Sequence, residues 1–243
     1  MRKSTSIRHW YGWFISSMLS ILLLAGCDTT VKTDMAEVGE ATEVVNMQDS
    51  ATAYKIDTAK SELTWIGAKM TGRHNGVFEI QEGQLFLQDG NLAHGTILIN
   101  MANLRSSDKT LDEANNKKLT THLKSVDFFD AEKYPTAVFE ITAVEVFDST
   151  RHTRAVSPNA RYSEMRVKNP THKITGNLTI KGVTKSVSFP AELKLEDNVL
   201  TAKANFNIDR TKWNLVYNSD QSLGNQTIHS DVNVGFNIVA RQQ

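Results

Sequence analysis

The chain has 243 residues, and its 27 lysines and arginines balance its 27 aspartates and glutamates, so the formal net charge is zero. This balance argues against a nucleic-acid partner, because such partners are held mainly by cationic side chains that neutralise phosphate. The length and the 40% hydrophobic fraction indicate one globular domain, or at most two small ones.

The first 26 residues have the pattern of an export signal. Three basic residues precede position 9, an apolar stretch spans 10–24, and Ala25-Gly26 supplies small residues for cleavage. The apolar stretch is shorter than the roughly 20 residues that a membrane-spanning helix needs. We therefore predict that residues 1–26 are a lipoprotein signal peptide that is removed.

Cys27 follows this segment directly and is the single cysteine of the chain. The sequence LLAGC resembles a bacterial lipobox, in which the cysteine is acylated and becomes the first residue of the mature protein. We therefore predict a lipoprotein of the bacterial periplasm, anchored to a membrane through acylated Cys27. Whether that membrane is the inner or the outer one stays open. The alternative is an ordinary signal peptide followed by an accidental cysteine.

Residues 27–52 are predicted to form the acylated cysteine and a flexible tether, because this stretch contains no aromatic residue and has no periodic pattern. Residues 53–243 are then predicted to be the folded domain. A chain with one cysteine cannot form an internal disulfide, so side-chain packing must stabilise this domain.

The predicted domain is dominated by strands. Apolar and polar residues alternate with a period of two in successive segments, which predicts strands that each bury one face. We count eight to ten strands, and residues 148–170, which lack alternation, are predicted to form a long surface loop. Tight turns are predicted at Asn75-Gly76, Glu82-Gly83, Asp89-Gly90, Lys181-Gly182 and Asp197-Asn198.

One amphipathic helix interrupts the strands. Leu111, Ala114, Leu119 and Leu123 recur at helical spacing, so the helix is predicted over Leu111–Leu123. Its opposite face is too polar for a helix inside a core. We predict that the helix lies across one opening of the fold, with the four apolar side chains turned inward and Phe128-Phe129 at the rim.

Strands with one apolar face either pack as two sheets or close into a barrel. Closure is favoured here, because long strands joined by tight turns would otherwise leave exposed edges. The predicted fold class is therefore all-β, an antiparallel barrel of about eight strands with one helix at its mouth. A barrel of this size has room for packed side chains or for one slim ligand.

No catalytic motif stands out. The sequence contains no G-x-S-x-G elbow, no phosphate-binding loop and no dinucleotide fingerprint. Its histidines are scattered, with no pair at the spacing of metal ligands. We therefore predict a protein that is not an enzyme and holds no metal or cofactor. An enzyme acting on a lipid inside the barrel is the least favoured alternative, since it would need a polar pair facing the lumen.

Three blocks of sequence resemble the YceI-like family: HLKSVDFFDAEKYPTAVFEI at 122–141, TGNLTIKGVTKSVSFP at 175–190 and FNIDRTKWN at 206–214. Two shorter family patterns also match, W-x-G-x-K at 65–69 and H-x-G-x-F at 74–78. The resemblance covers Tyr54 to about Val239. It implies a lipocalin-like barrel whose apolar lumen binds a polyisoprenoid or similar lipid, in a periplasmic or secreted protein.

The apolar faces of the strands and the helix provide a candidate lumen. The residues alone leave a solid core and a ligand tunnel both open, and the resemblance favours the tunnel. Small residues at Gly176, Ala202, Ala204 and Gly235 would leave room for a lipid chain. The predicted lumen residues are Leu63, Trp65, Phe78, Leu85, Leu87, Ile97, Ile99, Met101, Leu119, Leu123, Phe139, Ile141, Ile174, Leu178, Phe206 and Phe236.

Headgroup recognition is predicted at the mouth of the barrel, where polar and aromatic side chains lie near strand ends. The leading candidate is Arg210, because it belongs to one of the family blocks. The predicted mouth residues are Arg73, His74, His122, Arg210 and Trp213, with Lys69 and Arg105 as further candidates.

We therefore predict a protein that binds, sequesters or transports a polyisoprenoid or similar amphiphilic lipid in the bacterial envelope, with a quinone or its precursor as one candidate. The alternative is a structural or interaction module whose filled barrel binds an envelope protein. Family analogy adds a b561-like cytochrome as a candidate protein partner, and a dimer is compatible with the sequence.

Overall fold

The computed structural model describes residues 29–44, 51–150 and 165–243. The predicted signal peptide, Cys27 and most of the predicted loop at 148–170 lie outside these residues. No helix in the described ranges is long and apolar enough to cross a bilayer. The elements are β1 (Asp34–Met35), β2 (Glu37–Glu40), β3 (Thr52–Ile56), β4 (Glu62–Lys69), β5 (Gly72–Gln88), β6 (Asn91–Ser106), α1 (Glu113–Lys124), β7 (Thr136–Val146), β8 (His172–Ile180), β9 (Val183–Glu196), β10 (Val199–Asp209), the 3₁₀ helices Arg210–Trp213 and Gln221–Gln226, and β11 (Ile228–Gln242).

Eight strands close into a barrel. Each strand from β4 to β11 pairs antiparallel with the next, and β11 pairs back with β4. The short strand β3 continues the position of β4, because it also lies between β11 and β5. The prediction of a closed antiparallel barrel of about eight strands is confirmed.

The two ends of the barrel are built differently. At one end, which we call the hairpin end, β5 turns into β6 at residues 89–90 and β9 turns into β10 at residues 197–198. At the other, the helical end, lie the β4–β5 turn at residues 70–71, the β8–β9 turn at residues 181–182, α1, and the connection 210–227 with both 3₁₀ helices. Every helix of the described chain therefore lies at one end.

Three of the five predicted turns are confirmed. Asp89-Gly90, Lys181-Gly182 and Asp197-Asn198 each have positive φ at both positions, as a type I′ hairpin turn requires. Asn75-Gly76 and Glu82-Gly83 are wrong as turns, because both lie inside the 17-residue strand β5. A Cβ at Gly76 would collide with the carbonyl of Arg105 and the indole of Trp65. Glycine is needed there for close packing inside the barrel.

The helix α1 lies at the mouth of the barrel, as predicted, but its first turn faces outward. Leu123 is buried and Leu119 packs against the core, whereas Ala114 is exposed, and Leu111 precedes the helix and is only half-buried. Polar bonds hold the first turn instead: the side chain of Asn116 accepts from the hydroxyl of Ser106 at 2.6 Å. The inward orientation predicted for Leu111 and Ala114 is wrong.

Residues 29–44, which we call the N-terminal arm, belong to the fold. The strands β9 and β10 pair only near their turn, from Glu192–Glu196 to Val199–Lys203. Towards the helical end they separate, and the arm lies between them: β1 pairs parallel with β10, and β2 pairs antiparallel with β9. The arm therefore completes the wall of the barrel.

The arm is held by buried contacts. The side chains of Thr33 and Asp34 are 0% and 1% exposed. Asp34 accepts a charged hydrogen bond from Arg166 at 2.8 Å, and the Asn207 side chain donates to the Val31 carbonyl at 2.7 Å. The prediction of a flexible tether is therefore wrong for residues 29–44. Composition did not indicate this strand, because its partners are supplied by strands distant in sequence.

Candidate functional site

The barrel encloses a cavity of about 230 Å³. This exceeds the roughly 150 Å³ of an engineered apolar cavity that stays dry and binds benzene. Of the 16 predicted lumen residues, all but Leu87 line it. Leu87 is buried, 3% exposed, but lies in the packed hairpin end, so its predicted position on the lumen is wrong.

The hairpin end is filled by side chains that do not reach the cavity. Tyr54 and Ile56 of β3 are 4% and 3% exposed, and they belong to the same core cluster as Leu87, Leu200 and Ala240, with Ile56 opposite Ala240 in the sheet. The Cδ1 methyl of Ile56 lies over Gly83, and a Cβ built on Gly83 would be 2.5 Å from that methyl. Leu92, the register partner of Leu87, still lines the cavity, so the cavity begins beside this packed cluster and extends towards the helical end.

Aromatic rings form much of the cavity wall. Phe189 stacks on Phe206 with ring centroids 4.1 Å apart, and the ring of Phe236 meets Phe189 edge-on with centroids 5.6 Å apart. The ring of Phe139 lies over Gly176. The absent side chain of Gly176 therefore makes room for Phe139 and not for a ligand. Of the small residues predicted to make space, Ala202 lines the cavity, whereas Ala204 and Gly235 do not.

The helical end covers the cavity without filling it. Leu119 and Leu123 of α1 line the cavity together with Phe128 and Phe129, which follow the helix. The ring of Phe129 meets Phe78 of β5 edge-on at 5.8 Å. The predicted position of the Phe128-Phe129 pair at the rim is confirmed by these contacts.

Arg210 lines the cavity but its hydrogen bonds are directed to the backbone. The guanidinium donates to four carbonyls, those of Leu215, Tyr217, Ile228 and His229, and the residue is 4% exposed. Burial lowers the pKa of Arg210 below its usual range. Arg210 therefore ties the connection 210–227 to β11, and four of its five N–H donors are committed to backbone carbonyls rather than to a headgroup.

Trp213 lines the cavity and is also committed to the fold. It is fully buried, and its Nε1–H donates to the carbonyl of Leu178 at 2.9 Å. The bond joins the first 3₁₀ helix to β8. Trp213 therefore offers a ligand its apolar ring and no hydrogen-bond donor.

Two predicted mouth residues lie away from the cavity. Arg73 faces the arm and donates to the carbonyls of Thr29 and Thr30. The Nε2 of His122 lies 3.0 Å from the Oδ2 of Asp127, and the centroids of the His122 and Tyr217 rings are 4.9 Å apart. The His122 side chain is 39% exposed. The structure does not bring either side chain to the lumen.

His74 is the predicted mouth residue that faces the cavity with an oriented ring. Its Nδ1 lies 2.8 Å from the Oδ2 of Asp108, whose side chain is 3% exposed. Burial acts to raise the pKa of Asp108, but hydrogen bonds from Thr110 and His74 outweigh it and hold the pKa below its ordinary value. Asp108 is therefore an ionised acceptor that fixes the imidazole. Lys69 lines the cavity beside His74.

Cavity residues outside the predicted set come from two sources. Most follow the same alternation on strands already predicted and could have been added from it. Leu215 lies in a non-periodic connection and gave no signal. The added apolar residues are Ala68, Ile80, Leu92, Ala137, Ile180, Val187, Phe189, Ile208, Leu215, Ile228, Val232, Val234 and Ile238. In the described ranges, no group of three or more His, Cys, Asp or Glu side chains is arranged to hold a metal ion.

Comparison with known proteins agrees with this geometry. A family model described as the YceI-like domain matches residues 54–240. A UPF0312 protein of Photorhabdus laumondii is 30% identical over 118 residues, which are 49% of this chain and 47% of that protein. A UPF0312 protein of Pseudomonas aeruginosa is 33% identical over 81 residues, or 33% of this chain and 31% of the relative. The chain thus aligns with half or less of the length of these curated relatives.

Two solved structures share the barrel. BcnA of Burkholderia cenocepacia superposes with a TM-score of 0.55 at 21% identity, over 76% of this chain and 98% of that one. A polyisoprenoid binding domain from Saccharophagus degradans superposes with a TM-score of 0.53 at 12% identity, over 79% and 99% of the two chains. At these identities the likeness establishes the fold.

Proposed function

The chain belongs to the YceI-like domain family, and from that premise we propose that its barrel binds a polyisoprenoid or a similar amphiphilic lipid without converting it. The single observation that carries this proposal is the cavity, which is enclosed by apolar side chains and has polar side chains only towards the helical end. The polyisoprenoid-binding domain that shares the fold supports the same ligand class.

The energetics favour a hydrocarbon ligand. Each methylene group moved from water into an apolar environment contributes about 0.8 kcal/mol, so a prenyl chain gains affinity along its whole length. The wall contains almost no polar group that a hydrocarbon would leave unsatisfied. A solid interior would favour the alternative of an interaction module, and the hollow helical half weighs against it.

We also propose that the protein acts in the bacterial envelope, anchored through an acylated Cys27 and carrying its lipid at the membrane surface. The arm supports this arrangement, because the Thr29 hydroxyl donates to the carbonyl of Lys69 at 2.6 Å, at the helical end. Cys27 precedes Thr29 by two residue steps, which span at most about 7 Å. An anchor at Cys27 would therefore hold the hollow end near the lipid. A b561-like cytochrome partner and a dimer stay predictions.

The ligand can be tested directly. The full chain is produced in a bacterial envelope and purified, and a denatured organic extract is analysed by mass spectrometry. We expect about one prenyl or related lipid per chain, and rebinding of an added prenol or quinone to the stripped protein. The absence of a stoichiometric lipid, together with no rebinding, would contradict the proposal.

A cavity-filling substitution provides the matched variant. Ala202 lines the cavity, whereas its neighbour Thr201 on β10 does not. We expect Ala202→Phe to occupy the lumen and lower lipid affinity at least ten-fold, and Thr201→Phe to leave it unchanged. Circular dichroism and thermal unfolding verify that both variants are folded. Equal lipid binding by the two variants would place the ligand outside the cavity.

A further inference from the structure

Exposed apolar side chains are concentrated at the helical end of the barrel. Of the eight large apolar side chains that are exposed in the described ranges, four lie at this end, and we call them the apolar tips: Met70, Val126, Val216 and Leu223. They are 43%, 70%, 57% and 41% exposed. A single exposed valine or leucine is common, but several at one end of a protein indicate a contact surface.

Met70 and Leu223 are joined through one turn of the chain. The Met70 amide donates to the carbonyl of Thr227 at 3.4 Å, and the Thr227 hydroxyl donates to the carbonyl of Asp220 at 3.0 Å. The Leu223 amide donates to the same Asp220 carbonyl at 3.2 Å. The β4–β5 turn therefore lies beside the second 3₁₀ helix.

Val216 and Val126 are joined through a ring contact. Tyr217, which follows Val216, packs on Phe128 with ring centroids 5.2 Å apart, and Phe128 lies two residues after Val126. The Val216 carbonyl accepts from the amide of Ser219 at 3.1 Å, and Ser219 leads directly into the second 3₁₀ helix. The segments that carry the four apolar tips thus contact one another.

The apolar tips lie over the cover of the cavity. Three of them are within two residues of a side chain that lines the cavity: Met70 beside Lys69, Val126 near Phe128 and Val216 beside Leu215. Leu215 is buried, whereas Val216 is exposed. Neighbouring side chains therefore divide into an inner set, which faces the cavity, and an outer set, which faces away from it.

The arm brings the proposed anchor to the edge of this surface. The Thr29 hydroxyl donates to the carbonyl of Lys69, which directly precedes Met70. Because Cys27 is only two residue steps before Thr29, it lies within about 7 Å of that contact. An acyl chain on Cys27 would therefore enter a bilayer beside Met70.

Charged side chains of both signs flank the apolar tips. Lys117, Lys118 and Lys212 are exposed at this end, and so are Asp127 and Asp220. The surface therefore does not select a partner by one sign of charge, and apolar contact is what it offers. A bilayer of neutral phospholipid fits such a surface, because apolar side chains enter its interfacial region while charged side chains stay in water.

We propose that Met70, Val126, Val216 and Leu223 insert into the interfacial region of a phospholipid bilayer, so that the covered end of the cavity rests on the membrane. This surface rests on the proposed function, and it names the side of the barrel that meets the membrane. A lipid would then pass between the bilayer and the cavity without exposing its hydrocarbon chain to water.

Fluorescent labels test the orientation. The full chain, acylated at Cys27, is reconstituted in phosphatidylcholine vesicles, and its intact mass verifies the acylation. Val216→Cys carries an environment-sensitive label, and Leu195→Cys, an exposed apolar position beside the β9–β10 turn, carries the matched control. We expect aqueous iodide to quench the label at 216 about five-fold less than the label at 195.

Charged substitutions test the consequence for lipid transfer. The double variant Val126→Asp/Val216→Asp places charge in the proposed contact, and Val146→Asp, at a position 75% exposed on the last turn of β7 towards the hairpin end, is the control. We expect the double variant to transfer a fluorescent prenol to the vesicles about ten-fold more slowly, and the control to be unchanged. Unfolding temperatures and prenol affinity without vesicles should stay the same, because the substituted side chains are exposed.

The outcomes distinguish this surface from the function on which it rests. Equal iodide quenching at 216 and 195, or equal transfer by the double variant and the control, overturns the membrane surface and leaves lipid binding in place. A protected label at 216 in a protein that yields no lipid and binds no prenol overturns lipid binding and leaves the surface in place. An intact mass without acyl groups overturns the anchor and this surface with it.

Discussion

The hairpin end and the helical end are made from the same eight strands, yet the first is largely filled by side chains and the second is hollow. At the hairpin end, Tyr54 and Ile56 enter the barrel from the short strand β3 and fill it. At the helical end, α1 and the connection 210–227 lie over the opening and do not fill the cavity with side chains. Strand number alone therefore does not decide whether a barrel is filled. The segments that enter at its ends do.

The two ends also differ in what holds them. The hairpin end is stabilised by apolar packing, whereas the helical end depends on side chains that hydrogen-bond backbone atoms, as Arg210 and Asn116 do. Substitutions can break each end separately, and the largest effect is expected at the helical end.

Arg210→Met removes five donors and leaves four backbone carbonyls of the connection without their partner. We expect a loss of about 3–5 kcal/mol in the free energy of unfolding, because buried polar groups without partners are strongly destabilising. Urea unfolding followed by circular dichroism measures it. Lys212→Met, two residues away and largely exposed, is the control and should change stability by less than about 0.5 kcal/mol. Similar losses in both variants would contradict the role of Arg210.

Leu87 and Leu85 provide a matched pair across the boundary between the two ends. Both are buried leucines on β5, but Leu85 lines the cavity and Leu87 lies in the packed end. Leu87→Ala should cost about 2–4 kcal/mol of stability and leave lipid affinity unchanged. Leu85→Ala should enlarge the cavity and alter lipid affinity. Lipid displacement and urea unfolding on both variants test this, and a change in lipid affinity in Leu87→Ala would show that the cavity extends into the hairpin end.

A substitution in the arm tests whether the arm stabilises the wall between β9 and β10 and retains the lipid. Asp34→Asn removes the charge that Arg166 binds at a position 1% exposed, and we expect a loss of about 1–3 kcal/mol and faster release of bound lipid. Glu37→Gln is the control, because its ion pair with Lys173 is exposed and contributes little. Stopped-flow measurement of lipid release compares the two variants. Identical release rates would show that the arm does not contribute to retention of the lipid.

Substitution of Asp108 is expected to give the smallest loss in the free energy of unfolding, and that loss should depend on pH. The pKa of Asp108 is lower in the folded protein than in the unfolded chain, so its ionised form stabilises the fold above the unfolded pKa of about 4. This contribution is lost as the pH falls through the folded pKa. We expect Asp108→Asn to destabilise by about 1–2 kcal/mol at pH 7 and the difference from the unsubstituted protein to shrink below pH 4. A difference that is constant with pH would contradict an ionised Asp108.

Prediction succeeded where burial follows the period of a strand. Leu63 and Trp65, or Phe139 and Ile141, face the lumen because alternate side chains point to one face of a sheet. Alternation continued from Phe139 and Ile141 predicts that Ala143 also faces inward, and this is wrong. The strand β7 shifts its register between Ile141 and Ala143, so Ala143 is exposed and Val144 packs on the core. A single inserted residue exchanges the two faces, and the local sequence does not mark it.

The sequence by itself determined the antiparallel strands and most of the side chains that face the interior of the barrel, because these depend on local periodicity, whereas a hollow lumen was implied by the family resemblance. Only the tertiary structure decided that β3 fills one end, that the arm closes the wall between β9 and β10, and that Arg210 is committed to backbone carbonyls while His74 faces the cavity. Each of these depends on which distant segment meets a given side chain. A residue's availability to a ligand is decided by those partners, and composition and spacing do not record them.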